Sequence, residues 1–286
     1  MTILEAPDTD APMDPPAARG RRITGDAVLL VARRAGSAVA TLAVILGAWV
    51  LFLKIFNISP FIGKGPLDVW RYLFTGPSSA ASRQELLRES GTTLRDALLG
   101  LVAGTIAAVT CAVAFYVSQT AGSVFMPLAM VLRSVPLVAM TPLIVGIFGR
   151  NLLAITIIAG IVTFFPTLVN VIVALRATPR ESLDLCRAYG ASTTDTLRKV
   201  QIPSALPALF ASLRIAAPLS LVGALLAEWL ATGQGLGYGL LNASAVSDYN
   251  GLWARVVLIT FYSTVLYQLI GVAESLVMKR FGATAR

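Results

Sequence analysis

Residues 181–207 read ESLDLCRAYGASTTDTLRKVQIPSALP, and this stretch decides how the rest of the chain is interpreted. It is polar and charged, although long apolar segments lie on both sides of it. Gly190 separates two short amphipathic runs, and Pro203 and Pro207 follow the second run. Glycine accepts backbone conformations that end helices, and proline interrupts them. The pattern therefore predicts a helix, a glycine break, a second helix and a proline stop. We call residues 181–207 the polar segment.

The composition indicates an integral membrane protein. Of the 286 residues, 56% are hydrophobic and 13% are charged, whereas soluble domains carry about 25% charged residues. The net charge is +8, but the basic residues lie mostly in loops and tails, which is typical of membrane orientation and not of nucleic-acid binding. There is no histidine, and Cys111 and Cys186 fall in different segments. We therefore predict neither a disulfide nor a metal site.

Six segments are long and apolar enough to cross a bilayer, which takes about 20 residues. They span residues 35–56, 97–117, 124–148, 152–175, 206–231 and 253–278. The third segment contains Pro127, Pro136 and Pro142, so we expect it to be kinked or broken. The first 34 residues are rich in proline, alanine and charge, which predicts a disordered tail. The predicted fold class is an all-α membrane protein with about six transmembrane helices.

Arginine and lysine residues predict the orientation. They cluster before the first span, within the polar segment and after the last span. Four predicted spans separate the first cluster from the second, and two separate the second from the third, so all three clusters share one side. Because basic loops stay on the cytoplasmic side, we predict that the polar segment and both termini are cytoplasmic.

Motifs typical of enzymes and nucleotide-binding proteins do not occur in the sequence. It has no Gly-x4-Gly-Lys-Ser/Thr phosphate loop, no nucleophile elbow and no HExxH motif. A glycine run at 233–239 has the wrong spacing for a nucleotide loop, and we interpret it as a tight extracytoplasmic turn. We predict no enzyme activity, no catalytic residue and no cofactor. A partner protein or a gradient must therefore supply the energy for any work.

The polar segment resembles the EAA loop of ABC-importer permeases, which follows the pattern Glu-Ala-Ala-x3-Gly-x9-Ile-x-Leu-Pro. Gly190 matches the glycine, and residues 200–203 fill the final four positions with conservative replacements. Residues 184–186 occupy the Glu-Ala-Ala positions, where an acid is kept and both alanines are replaced. Residues 132–149 and 227–239 are similar to permeases for sulfonate, taurine and nitrate, and to those for pyrimidine thiamine precursors and riboflavin.

The resemblance covers residues 92–278 and implies one subunit of an importer in the bacterial inner membrane. Two permease copies, most simply a homodimer, would form the pathway, a cytoplasmic ABC ATPase dimer would power it, and an extracytoplasmic substrate-binding protein would deliver the solute. The solute would be a sulfonate-, taurine- or nitrate-like anion, or a pyrimidine or riboflavin-type heterocycle. The polar segment would be a cytoplasmic coupling helix that moves as a rigid lever when the ATPases close.

This resemblance divides the chain into four parts: a cytoplasmic tail (1–34), a first transmembrane helix with an extracytoplasmic loop (35–91), the permease domain (92–280) and a second cytoplasmic tail (281–286). The implied ATPase-coupling residues are Asp184, Cys186, Arg187, Tyr189, Gly190, Ala191, Val200, Ile202 and Pro203.

Charged side chains inside the predicted spans need partners, because a charge near the bilayer centre costs about 2.5–3.5 kcal/mol on insertion scales. We expect Glu228 to pair with Arg95 or Arg255, and Arg214 to pair with Glu274. We interpret these pairs as structural salt bridges between spans rather than as substrate contacts.

Five residues are candidates for lining or gating the pathway. Arg133 lies between two prolines of the third span and is the best candidate for a gate or an anion contact. The full set is Arg133, Asn170, Glu228, Tyr267 and Glu274. Small and polar residues also follow one face of the second, fourth and sixth spans. For the second span we expect close helix packing, and for the other two either packing or pathway lining.

Two other functional classes remain as alternatives. A gradient-driven secondary transporter or channel would show inverted repeats or a buried carboxylate relay, and the sequence has no clear internal repeat. A membrane enzyme would need a cluster of acid, base or metal-binding residues at one interface, and none is visible.

Overall fold

The computed structural model describes residues 22–280. Helices dominate this part of the chain, which contains no β-strand, so the all-α prediction is confirmed. The helices are α1 (Arg22–Ile55), α2 (Pro66–Trp70), α3 (Ser79–Val117), α4 (Gln119–Ser134), α5 (Leu137–Phe148), α6 (Leu152–Arg176), α7 (Arg180–Ala188), α8 (Thr193–Thr196), α9 (Ile202–Ala227), α10 (Gly235–Ala245) and α11 (Tyr249–Arg280). Three π-helical turns extend α2, α8 and α9 at Arg71–Thr75, Leu197–Gln201 and Glu228–Thr232.

The chain separates into two compact units, with the boundary between Ser59 and Pro60. The first unit contains α1, whose apolar span covers Gly36–Ile55. Because α1 begins at Arg22, residues 22–34 are helical, and the prediction of a disordered tail is wrong there. This stretch contains no proline and is rich in alanine, leucine and arginine, which favour helix. Residues 1–21 and 281–286 of the predicted tails lie outside the described residues.

The second unit supplies the remaining spans. Among residues 22–280, five helices are long and apolar enough to cross a membrane, and α4 with α5, bent by 102°, makes a sixth when the pair is counted as one span. The bend lies at Val135 and Pro136, where the backbone is extended. Proline disfavours helical geometry in the residue before it, so the chain leaves the helix at Val135. This count of five or six agrees with the prediction of about six spans, and the break predicted in the third segment is confirmed.

Helices α3, α6 and α9 form the centre of the second unit. A Cβ atom added at Gly100 would overlap Ala159, and one added at Gly104 would overlap Thr163 and the carbonyl oxygen of Gly160. The hydroxyl of Thr163 donates to the carbonyl oxygen of Gly100 over 3.3 Å. Small residues therefore let the two backbones approach closely, as predicted for the second span. On α6, the same contacts favour packing over pathway lining.

Several element boundaries differ from the sequence-based ones. Helix α3 begins at Ser79, inside the loop predicted to extend to residue 91, and α2 lies in the same loop. The predicted proline stop is also wrong, because α9 contains Pro203 in its first turn and Pro207 inside the helix. Proline is tolerated in a first turn, where the N–H groups have no intrahelical partner. Within a membrane helix, local π-helical adjustments accommodate it.

Candidate functional site

The first half of the polar segment is a helix closed by a glycine. The N–H of Gly190 donates to the carbonyl of Arg187, and the N–H of Ala191 donates to that of Cys186, each over 2.9 Å. This pair of bonds is the Schellman arrangement that ends many helices. Gly190 has φ = +70°, a conformation that side chains disfavour. The predicted sequence of helix, glycine break and helix is therefore confirmed.

The second half of the polar segment begins with a capped helix, α8. The hydroxyl of Ser192 accepts from the N–H of Asp195 over 3.1 Å and donates to the Asp195 carboxylate over 2.6 Å. Lys199 then pairs with that carboxylate over 2.9 Å. A capped start and a capped end leave only the four residues from Tyr189 to Ser192 between α7 and α8, so the polar segment forms a short elbow.

Buried side chains anchor this elbow to the membrane helices. Leu197 belongs to a buried cluster with residues of α3, α6 and α9, among them Ala112 and Leu168. The amide of Gln201 donates to the hydroxyl of Tyr116 on α3. On the other side, the buried hydroxyl of Thr178 donates to the carbonyl of Leu175 on α6. These contacts join the elbow to α3, α6 and α9.

The outer surface of the elbow is uncovered in the described part of the chain. Leu185 is 59% exposed and Tyr189 is 84% exposed. Asp184 and Arg187 form an exposed ion pair of 3.0 Å beside them. Of the other coupling candidates, Ala191 and Ile202 are exposed, and Cys186, Val200 and Pro203 are half-buried. Large exposed apolar side chains among charges are typical of a protein contact surface.

At the opposite end of α9, Glu228 is fully buried, but the predicted cationic partner is wrong. Arg95 pairs with Asp96 over 2.8 Å, and Arg255 pairs with glutamates of α3. The Glu228 carboxylate instead accepts from the N–H of Gly237 over 2.7 Å, in the first turn of α10. The amides of a helix N-terminus carry partial positive charge, so α10 takes the place of the expected cation.

The glycine run explains why this carboxylate fits. Gly233 and Gly235 have positive φ values of 67° and 86° and make the predicted turn. The chain then enters α10, a helix that the sequence analysis missed. A Cβ atom at Gly235 or Gly237 would meet the carboxylate of Glu228. These glycines therefore serve close packing around a buried acid.

The sequence analysis also missed an arginine hub, formed by Arg255 of α11 and by Glu85 and Glu89 of α3. The guanidinium donates to both oxygens of Glu89, over 2.8 and 2.9 Å, and to Glu85 over 3.0 Å. Two acids four residues apart share one helix face, and that spacing was the available signal. Because residues 57–91 were assigned to a loop, the spacing could not be interpreted.

The predicted pair between Arg214 and Glu274 is confirmed, with a separation of 2.6 Å. The Arg214 guanidinium also lies 5.8 Å from the centre of the Tyr267 ring, within range of a cation–π contact. Two of the five pathway candidates thus share one arginine and contribute to the contact between α9 and α11.

The other pathway candidates lie apart. Asn170 is half-buried on α6. Arg133 is exposed at the end of α4, beside a cavity of about 390 Å³ at the α4–α5 bend. Its other walls come from the middle of α6 and from Leu219 of α9. We call this space the break cavity.

Comparisons with known proteins agree with this architecture. A family model described as binding-protein-dependent transport system inner membrane component matches residues 100–282. A probable ABC transporter permease protein of Haemophilus influenzae is 29% identical over 225 residues, which cover 78% of this chain and 89% of that protein. The riboflavin transport system permease protein of Chloroflexus aurantiacus is 33% identical over 147 residues, which cover 51% of this chain and 55% of that one.

Among solved structures, a chain of an amino acid ABC transporter crystallised with histidines matches with a TM-score of 0.55 at 17% identity. The match covers 71% of this chain and 97% of the other. Further relatives are named as permeases for a formylaminopyrimidine, nitrate and taurine, so the resemblance found in the sequence is confirmed. The chain belongs to the family of binding-protein-dependent transport system inner membrane components, as an ABC-importer permease subunit and not an enzyme.

Proposed function

We propose that the polar segment couples this permease to a cytoplasmic ABC ATPase dimer. The observation that carries the proposal is a capped, rigid elbow with an uncovered apolar surface at Leu185 and Tyr189 and a buried root at Leu197. A stiff contact transmits a displacement, whereas a flexible loop would absorb it. Closure of the ATPases would push the elbow, and the elbow would tilt α6 and α9 to change the side on which the pathway is open.

The complete importer would contain a second copy of this permease and an extracytoplasmic binding protein. We propose a small polar solute, either a sulfonate-, taurine- or nitrate-like anion or a pyrimidine or riboflavin-type heterocycle. A gradient-driven transporter is the alternative function. Depletion of ATP in cells that retain an ion gradient separates the two: uptake through an ATP-driven importer stops, whereas uptake by a secondary transporter continues.

Two substitutions at one position test the elbow. No atom lies within 4 Å of a Cβ built on Gly190, so the effect of a new side chain there comes from its backbone preference alone. Valine disfavours φ = +70° by about 1–2 kcal/mol or more, whereas asparagine tolerates it. We expect Gly190→Val to reduce co-purification of the ATPase about 5- to 30-fold and Gly190→Asn to keep most of it. Equal association in both variants would contradict the elbow model.

The orientation has its own test. In a Cys111→Ser background, Cys186 on α7 is the remaining thiol of the chain. We expect a membrane-impermeant maleimide to label Cys186 in inside-out vesicles and to leave it unlabelled in intact cells. Labelling in intact cells would place the polar segment outside and would end the coupling proposal.

A further inference from the structure

Three arginines in the membrane helices of the second unit form ion pairs, whereas Arg88, Arg176 and Arg198, which lie toward helix ends, form none within the described residues. Arg95 contacts Asp96, Arg214 contacts Glu274, and Arg255 contacts the glutamates of the arginine hub. Arg133 has no ion pair and no hydrogen bond to another side chain within residues 22–280. A charged side chain without a partner is unusual in a membrane helix and indicates a functional position.

The depth of Arg133 makes its lack of a partner costly. It lies 14 residues after Gln119, or about 21 Å along α4 from the end of α3. Phe165 and Pro166, near the middle of α6, form part of the wall of the same cavity. A cation at this depth costs about 2.5–3.5 kcal/mol if it faces lipid. Arg133 therefore needs water or a counter-charge, and the break cavity provides the space for either.

We propose that the break cavity is a subsite for an oxyanion group of the transported solute, with the guanidinium of Arg133 as its charge partner. The inference rests on the proposed transport function and narrows the solute to the anionic class, such as a sulfonate, a carboxylate or nitrate. The planar fork of a guanidinium matches two oxygens of such a group. A volume of about 390 Å³ lies within the usual range for small-molecule pockets.

The surroundings of the cavity suit an anion. The Ser134 hydroxyl beside Arg133 donates to the carbonyl of Val131 over 2.6 Å, so Arg133 is the group that would donate to the anion, and the remaining walls are apolar side chains and prolines of α4, α5, α6 and α9. No acidic side chain of the described residues lines the cavity, so nothing there competes with the anion for the guanidinium.

A thiol placed at Ser134 tests the charge preference without knowledge of the solute. The full chain carries Ser134→Cys with Cys111→Ser and Cys186→Ser, and it remains in membrane vesicles. Two methanethiosulfonate reagents of similar size are compared, one with an anionic sulfonatoethyl group and one with a cationic trimethylammonioethyl group. We expect Arg133→Gln to lower the ratio of the anionic to the cationic labelling rate at least about fivefold. Two unit charges about 4 Å apart in water interact by about 1 kcal/mol, and this energy corresponds to that factor.

Arg133→Lys keeps the positive charge and should keep most of the ratio. Arg150→Gln removes an exposed arginine from the loop between α5 and α6 and should leave the ratio unchanged. Millimolar nitrate or ethanesulfonate should slow the labelling of the chain with Arg133 intact, and riboflavin should not. The cationic reagent also reports on folding, because its rate should persist in Arg133→Gln.

Three outcomes would overturn the subsite. In the first, neither reagent labels the thiol at position 134. In the second, the ratio of labelling rates is the same with and without Arg133. In the third, riboflavin protects the thiol from labelling, whereas nitrate and ethanesulfonate do not. The first two are expected if an acid of a second copy neutralises Arg133 or if the break is sealed. The assay needs neither ATP nor an ATPase, so its failure leaves the coupling proposal standing, and loss of ATPase association leaves the subsite standing.

Discussion

Replacing Arg255 with glutamine is expected to lower the free energy of unfolding by about 3–5 kcal/mol, because it leaves the half-buried carboxylate of Glu89 without its cation. Arg255 is 4% exposed, and the side chain of Glu89 is 15% exposed. The guanidinium holds both oxygens of Glu89, and the three hydrogen bonds of the arginine hub join α3 to α11. Glutamine cannot neutralise Glu89 or reproduce this fork.

The matched control is Glu85→Gln, which removes the other acid from the same arginine. The Glu85 side chain is 61% exposed, and Arg255 keeps its bidentate partner Glu89 in this variant. Exposed ion pairs contribute about 0–1 kcal/mol, so the loss should stay within that range. Unfolding of the purified chain in mixed micelles with increasing denaturing detergent measures both variants. If both variants lost the same free energy of unfolding, the contribution of the arginine hub would not come from the contact between Arg255 and Glu89.

The second large effect is expected from one substitution made at two glycines of the same helix. Gly104→Ala should destabilise the protein by about 1–3 kcal/mol, because the new methyl group would overlap the carbonyl of Gly160, a backbone atom that cannot rotate away. Gly91→Ala should stabilise it by about 0.5–1 kcal/mol. Gly91 is exposed on α3, and no atom lies within 4 Å of its built Cβ. The opposite signs separate close packing from helix propensity.

Thermal unfolding in detergent of the two alanine variants and the parent chain provides the comparison. A rise in stability for both variants would mean that α3 and α6 tolerate a wider separation than the structure shows. A fall for both would mean that Gly91 has a role in the folded protein that its open surroundings do not reveal. Only a fall at Gly104 with a rise at Gly91 agrees with the close approach of α3 and α6.

Local patterns made much of this fold predictable. A run of about 20 apolar residues identifies a span by itself, and the prolines of the third span identify its break. The elbow could also be predicted from the sequence, because Gly190 and its neighbours form hydrogen bonds with residues only a few positions away in the chain. The ion pair between Arg214 and Glu274 could be predicted because both residues lie at similar predicted depths in the membrane, toward the cytoplasmic ends of their spans.

Features that depend on contacts between distant residues could not be predicted. The arginine hub joins residues that are 166 and 170 positions apart in the chain. Glu228 was assigned a cation because sequence alone could not show that α10 starts beside it. Thr93, whose hydroxyl accepts from the N–H of Leu236 over 2.8 Å, gave no signal at all. A threonine in a polar stretch has many ordinary explanations.

The helical path from Thr193 to Thr232 runs without interruption for 40 residues, or about 60 Å at the usual rise per residue. Its two ends hold the elbow and the buried acid that caps α10. A body of this length that tilts by about 5° shifts one end relative to the other by about 5 Å. In the coupling that we propose, the two ends of this helix would move in opposite directions, so a single tilt would close the pathway at one membrane face while it opens the pathway at the other.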